Sequence, residues 1–158
     1  MRQDLRGAAR YPGIVPLFPL SGVILLPRGQ LPLNVFEPRY LALVDDILKS
    51  DRMIGIVQPQ TESTSGRPPL FAIGGLGRMS AFAETDSAQY FITLTGLMRF
   101  RITRELPVTT PYRQAEVDYE PYLSDAIPAP EDPTLDRPTL LSSLKRYFTA
   151  NRIDADWD

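Results

Sequence analysis

The side chains that usually carry out enzymatic chemistry are either missing or badly spaced. The 158 residues contain no histidine and no cysteine, so neither a Ser-His nor a Cys-His pair can be assembled. Imidazole and thiolate metal sites go with them, leaving only a hard cation held by oxygens, and neither a metal nor a cofactor is expected. Ser21, Ser63 and Ser65 form no Ser-Lys dyad with Lys49, because nothing in their spacing brings them together. Gly74, Gly75, Gly77 and Gly96 superficially suggest a nucleotide loop, but they lie in strand-like sequence with no following helix, where bends in a curved sheet account for them. No catalytic residue is assigned.

Recognition chemistry is what remains. Val23, Ile24, Leu25 and Leu26 run consecutively into Pro27 and Arg28, in a loop entered through Ser21-Gly22 and left through Arg28-Gly29. Four consecutive large apolar side chains are unusual in such a loop. They either cap the open end of a β domain or offer an apolar platform to a partner, and these six residues are the candidate substrate-binding set. Phe36, Glu37, Pro38, Arg39 and Tyr40 form a second cluster. Glu37 and Arg39 could line a cleft, or serve as the N-terminal carboxylate of a helix and its ion-pair partner. Arg78, Arg99, Arg101, Arg104 and Arg113 could make a basic stripe, or a solvated face balanced by Glu105, Glu116 and Asp118.

The elements that position these groups are mostly strands. From Tyr90 onward Ile92, Leu94, Met98, Phe100 and Ile102 alternate with Thr93, Thr95, Arg99, Arg101 and Thr103, as a half-buried antiparallel strand requires. Gly96 interrupts the alternation, which predicts a bulge or bend. The pattern repeats over 113–120, and further strands are expected over 14–18, 31–36, 53–57 and 70–82, about six in all. One helix follows Pro38, whose ring suits the first helical position, with Tyr40, Leu41, Leu43, Val44, Ile47 and Leu48 as its apolar stripe. A second runs from about Pro138 to Ala150 with Leu140, Leu141, Leu144, Tyr147 and Phe148 on one side.

Sixteen prolines are about twice the usual share of roughly 5%. Five fall in 121–138, where acidic and small residues show no periodicity, so 122–137 reads as a linker between a β domain (1–121) and a helical segment (138–158). Residues 61–69 read as a surface loop. With 17 Lys+Arg against 19 Asp+Glu the net charge is −2, which argues against DNA. No apolar run has the length of a membrane span or a signal peptide, and the cytosol is the expected compartment.

The succession VPLFPLSGVILLP (15–27), then LPLNVFEPRY (31–40) running into an amphipathic helix, resembles the N-terminal substrate-recognition domain of Lon proteases. IGGLGRMS (73–80) and LTGLMRFRI (94–102) look like strands of the same family, and the likeness covers roughly 14–120, with a weak continuation at 155–157. The resemblance implies a mainly β, PUA-like six-stranded pseudo-barrel with one inserted helix, followed by helices. It also implies binding of unfolded or tagged polypeptides and a part in oligomerisation, while ATPase and peptidase activities belong to later domains. No Gly-x-x-x-x-Gly-Lys-Ser/Thr loop is present and there is no room for a peptidase domain, so the chain looks like the short stand-alone Lon-domain proteins of bacteria.

The resulting expectation is a non-catalytic module that binds unfolded or extended polypeptide in quality control or proteolysis targeting, serving a protease partner. The C-terminal helix is read as the start of a helical segment that the chain does not finish, docking back on the barrel or onto another copy in a homo-oligomer. An RNA-associated PUA-like module is the alternative, which the sequence isoelectric point of about 5.2 and the lack of aromatics interleaved with the arginines disfavour.

Overall fold

The computed structural model describes residues 11–61, 67–128, 134 and 136–155. Six strands form one sheet: β1 (Ile14–Pro19), β2 (Gln30–Val35), β3 (Met53–Val57), β4 (Ile73–Glu84), β5 (Tyr90–Glu105) and β6 (Arg113–Asp118), with helix α1 (Pro38–Leu48) inserted between β2 and β3. Helix α2 (Arg137–Ala150) belongs to a second compact unit, which begins at Pro128.

The strand order is β2-β5-β4-β3-β1-β6, and β5 also pairs with β6, so five strands close into a ring. Closure depends on the length of β5. Its first half pairs with β2 (Gln30↔Thr95 to Val35↔Tyr90) and its last residues pair with β6 (Arg101↔Asp118 to Glu105↔Ala115). All pairings are antiparallel except β1 with β3, which are parallel (Leu17↔Gly55) and are joined by the crossover containing α1. Opposite Leu76-Gly77 the β5 register skips Leu97, a one-residue irregularity directly beside Gly96, where the alternation is broken in the sequence.

Every residue of β3 is buried, as expected of a strand covered on both faces. On one face Val15, Leu17, Leu76, Met98 and Phe100 fill the ring; a Cβ on Gly55 would meet Phe100, Val15 and Leu17. On the other, Ile54 and Ile56 join Phe18, Val35, Leu94 and the α1 stripe of Tyr40, Leu43, Val44 and Ile47. That stripe has the i, i+3, i+4, i+7 spacing of one helix face. No charged or polar residue is buried among the described residues.

Two boundaries differ from expectation. The strand expected at 70–82 begins at Ile73, because Leu70 makes only an isolated bridge with Pro59. The linker expected from 122 is a 3₁₀ helix over its first turns, Glu120–Ala126, with Tyr122 buried. The first compact unit therefore extends to Ile127. Pro121 and the acidic residues around it hid a segment that is attached to the barrel through the Tyr122 ring, Leu123 and Asp125. Residues 62–66 of the expected loop, 129–133 and 135 of the expected linker, and 156–157 of the weak likeness lie outside the described residues.

Candidate binding site

On the edge of β5 that pairs with β2 and β6, opposite its pairing with β4, residues 96–100 have no strand neighbour, and this notch is filled by two pieces of irregular chain. One is the loop after β1. The amide of Arg28 donates to the Gly96 carbonyl at 2.8 Å, and the Gly96 amide donates back to Gly29 at 2.8 Å. A Cβ on Gly96 would collide with the Leu26 carbonyl oxygen, and one on Gly75 with the Leu25 carbonyl oxygen. These two glycines are the seat on which the loop backbone rests, a function that their strand context alone did not reveal.

The other piece is the 3₁₀ helix. Asp125 accepts from the Arg99 backbone amide (3.0 Å), from Nε (2.8 Å) and from Nη2 (2.8 Å), while the Arg99 guanidinium lies over the Tyr122 ring at 4.8 Å. The hydrogen bonds from Arg99 hold the Asp125 carboxyl below its usual range, against the opposing effect of partial burial. Arg28 Nη1 donates to the Asp125 carbonyl at 3.1 Å, so loop and 3₁₀ helix are tied to each other as well as to β5. Arg28 carries this link with φ of 66°, a costly conformation for a side chain this long.

Held in this way, the four apolar residues divide. Leu25 is 5% exposed and packs into the core beside Gly77, whereas Ile24 is 72% and Leu26 61% exposed. Val23 is half-buried, and its carbonyl accepts from Gln58 Nε2 at 3.3 Å. Leu25 thus caps the core, while Ile24 and Leu26 face outward. Residues 23–26 form one wall of an apolar groove of about 360 Å³, and Phe71 and Ile73, each about half exposed, form part of the other. Gly74, Gly75 and Arg99 also line the groove. Phe71, Ile73 and Gln58 were not singled out in the sequence, where the apolar Phe71 and Ile73 beside Gly74-Gly75 read as part of a strand.

The cluster at 36–40 performs a different task. Tyr40 stacks on Phe18 at 4.0 Å between ring centroids and fixes the start of α1 to the core. The Glu37 carbonyl accepts from the amides of Tyr40 and Leu41, but its side chain makes no cap; it pairs with Arg39 at 2.8 Å. Phe36 is exposed, and Pro38 occupies the first turn of α1. Glu37, Arg39 and Tyr40 also line a polar cleft of about 590 Å³ with Arg67, Tyr112 and Arg113. Tyr112 donates to Asp46 of α1 at 2.7 Å, and burial, reinforced by that hydrogen bond, pushes its phenol up to about 12.

The arginine stripe is largely neutralised. Arg104 pairs with Glu116, Arg113 with Glu105 and Arg99 with Asp125. Among the described residues no group of three acidic, histidine or cysteine side chains could hold a metal ion, and no helix is long and apolar enough to cross a membrane.

A ring of strands with one inserted helix defines a PUA-like, mainly β domain. The model of the ATP-dependent protease La (LON) substrate-binding domain matches residues 14–152, and the chain belongs to that family. Lon protease 2 of Myxococcus xanthus is 32% identical over 109 residues, which cover 68% of this chain but 13% of that protein. The chain thus spans only a small part of the curated relatives it matches. The crystal structure of a Lon N-terminal domain protein from Xanthomonas campestris superposes with a TM-score of 0.59 at 27% identity, covering 87% of this chain and 73% of the other. The N-terminal domain of the Mycobacterium avium complex Lon protease shares the fold, with a TM-score of 0.55 at 18% identity over 89% of this chain and 73% of that one.

Proposed function

We propose that the chain is a non-catalytic module that binds unfolded or extended polypeptide through the rim groove, recognising substrates in protein quality control or for delivery to a cytosolic protease. The observation that carries this reading is the outward pair Ile24 and Leu26 on a backbone fixed at Gly75 and Gly96, facing exposed Phe71 and Ile73. Apolar side chains held on a rigid loop lose little entropy when they are covered, so contact area converts efficiently into affinity. The matching family is a substrate-binding domain, which fits. The paired arginines give the RNA reading no support.

The test uses fluorescence anisotropy with a labelled, chemically unfolded model protein. Ile24→Asp combined with Leu26→Asp is expected to weaken binding at least tenfold while the melting temperature stays within a few degrees, since neither side chain is in the core. Leu25 is left intact, because its removal would create a cavity. Normal binding by a folded double variant would remove the groove from consideration. The same preparation should neither hydrolyse ATP nor cleave casein; cleavage that tracks the protein and is abolished by a point mutation would overturn the non-catalytic reading. For α2 the proposal is self-association through Leu140, Leu141, Leu144 and Tyr147, tested by light scattering of the full chain against residues 1–127.

A further inference from the structure

The polar cleft of about 590 Å³ is not used by the groove reading, and its chemistry differs from that of the groove. Five prolines line it, which leaves stretches of wall with no backbone N–H to offer. The strong donors facing it are therefore the guanidinium groups of Arg39, Arg67 and Arg113. Two of these are held in place by neighbours. Arg113 is largely buried, gives Nε and Nη2 to the Glu105 carboxylate, and gives Nη1 to the Pro68 carbonyl at 2.7 Å. Arg39 is held by Glu37 at 2.8 Å. Arg67 is exposed and has no ion-pair partner among the described residues.

Of the three guanidinium groups only Arg67 has no carboxylate partner among the described residues, and Asp46, which accepts from the Tyr112 hydroxyl, adds a negative charge close by. We infer that this cleft is a second binding site, which takes a carboxylate. One planar carboxylate matches the fork of the one guanidinium without a partner, whereas a phosphate dianion would bring a second negative charge near Asp46 and Glu37. The rings of Tyr40 and Tyr112 and the proline walls pack against the carbon skeleton that carries it. The carrier is a peptide, because the same strips of chain wall both sites. Ser21 and Pro59 line the cleft, and Val23 and Gln58, bonded to each other, line the groove. The choice of carrier rests on the groove's polypeptide reading; the choice of carboxylate does not.

The experiment measures binding of a short labelled alanine-leucine peptide as the free acid, as its C-terminal amide, and as an amide containing one internal aspartate. Either carboxylate-bearing form is expected to bind about tenfold tighter than the plain amide, and the form that gains identifies a terminal or a side-chain source. Arg67→Gln should abolish that difference without lowering the melting temperature, and acetate should displace the acid form better than inorganic phosphate at equal ionic strength. Equal affinities of all three peptides, undetectable binding of all three, a preference that survives Arg67→Gln, or stronger competition by phosphate each overturn the inference. The plain amide reports on the groove alone: lost amide binding in the Ile24/Leu26 double variant with an intact acetate-sensitive site marks the groove as the peptide-holding part, while amide binding without any carboxylate preference removes the cleft only.

Discussion

Helices α1 and α2 look alike in sequence, each with an apolar stripe behind a proline, yet they are made by different forces. In α1 the N-terminal residue provides no side-chain cap, and four side chains are buried against the sheet. In α2 Asp136 accepts from the Thr139 amide (3.1 Å) and hydroxyl (2.6 Å), and Ser142, Ser143, Thr149 and Asn151 all return side-chain hydrogen bonds to carbonyls one turn back. No residue of α2 is buried. One helix exists because it is packed, the other because its local hydrogen bonds are satisfied. An isolated helix of this length is marginal in water, so burial is the stronger of the two causes.

That contrast can be broken by mutation, beginning with the largest effect. Leu43→Ala should lower unfolding stability by about 3 kcal/mol in denaturant titration, because it empties a fully buried site between α1 and the sheet. The next effect appears in alkali. The raised Tyr112 phenol favours the protonated form in the fold, so its contribution is complete below about pH 10 and disappears as pH rises to about 12. Tyr112→Phe should flatten the loss of stability across that window, and the tether from Asp46 to the barrel goes with it.

Acid acts on the other helix. Hydrogen bonds from Thr139 hold the Asp136 carboxyl below its usual range, so the cap persists above about pH 4 and is lost on further acidification. The protection of α2 amides relative to their intrinsic exchange rate should then fall several-fold, as it should in Asp136→Ala at neutral pH, with α1 unaffected. The smallest effect is expected for Leu144→Ala at protein concentrations too low for α2 to self-associate, within about 0.5 kcal/mol. A loss as large as that at Leu43 at such dilution would mean that the stripe is covered within the chain and would erase the contrast.

The sequence made the strands legible wherever one face is buried and the other wet, as in β5 and β6, because that asymmetry writes itself as alternation. It left two things out. Buried on both faces, β3 has no alternation to read, so its central place appeared only as a short apolar run. The closing pair β5–β6 and the seating glycines depend on partners far away in the chain, which no local pattern records. The balance of charges was legible in kind, since Glu105 and Glu116 do pair with arginines, but Arg99 found its carboxylate at Asp125, inside the stretch read as linker. In the apolar loop the residue types announced contact, yet only the backbone fixed by Gly75 and Gly96 decides that Leu25 turns inward while Ile24 and Leu26 turn out.

The ring has a consequence for how the chain is made. Its last seam joins β1 to β6, with Ile14 opposite Glu116, about a hundred residues apart. So distant a pairing carries a large loop-closure cost and places this domain among the slower folders, whereas the β4–β5 hairpin, with a turn of only a few residues, can form early. During synthesis β1 leaves the ribosome long before β6. Until β6 arrives the nascent chain presents two unpaired strand edges, on β1 and on the far end of β5, and that interval is when it is most prone to pair with the wrong neighbour.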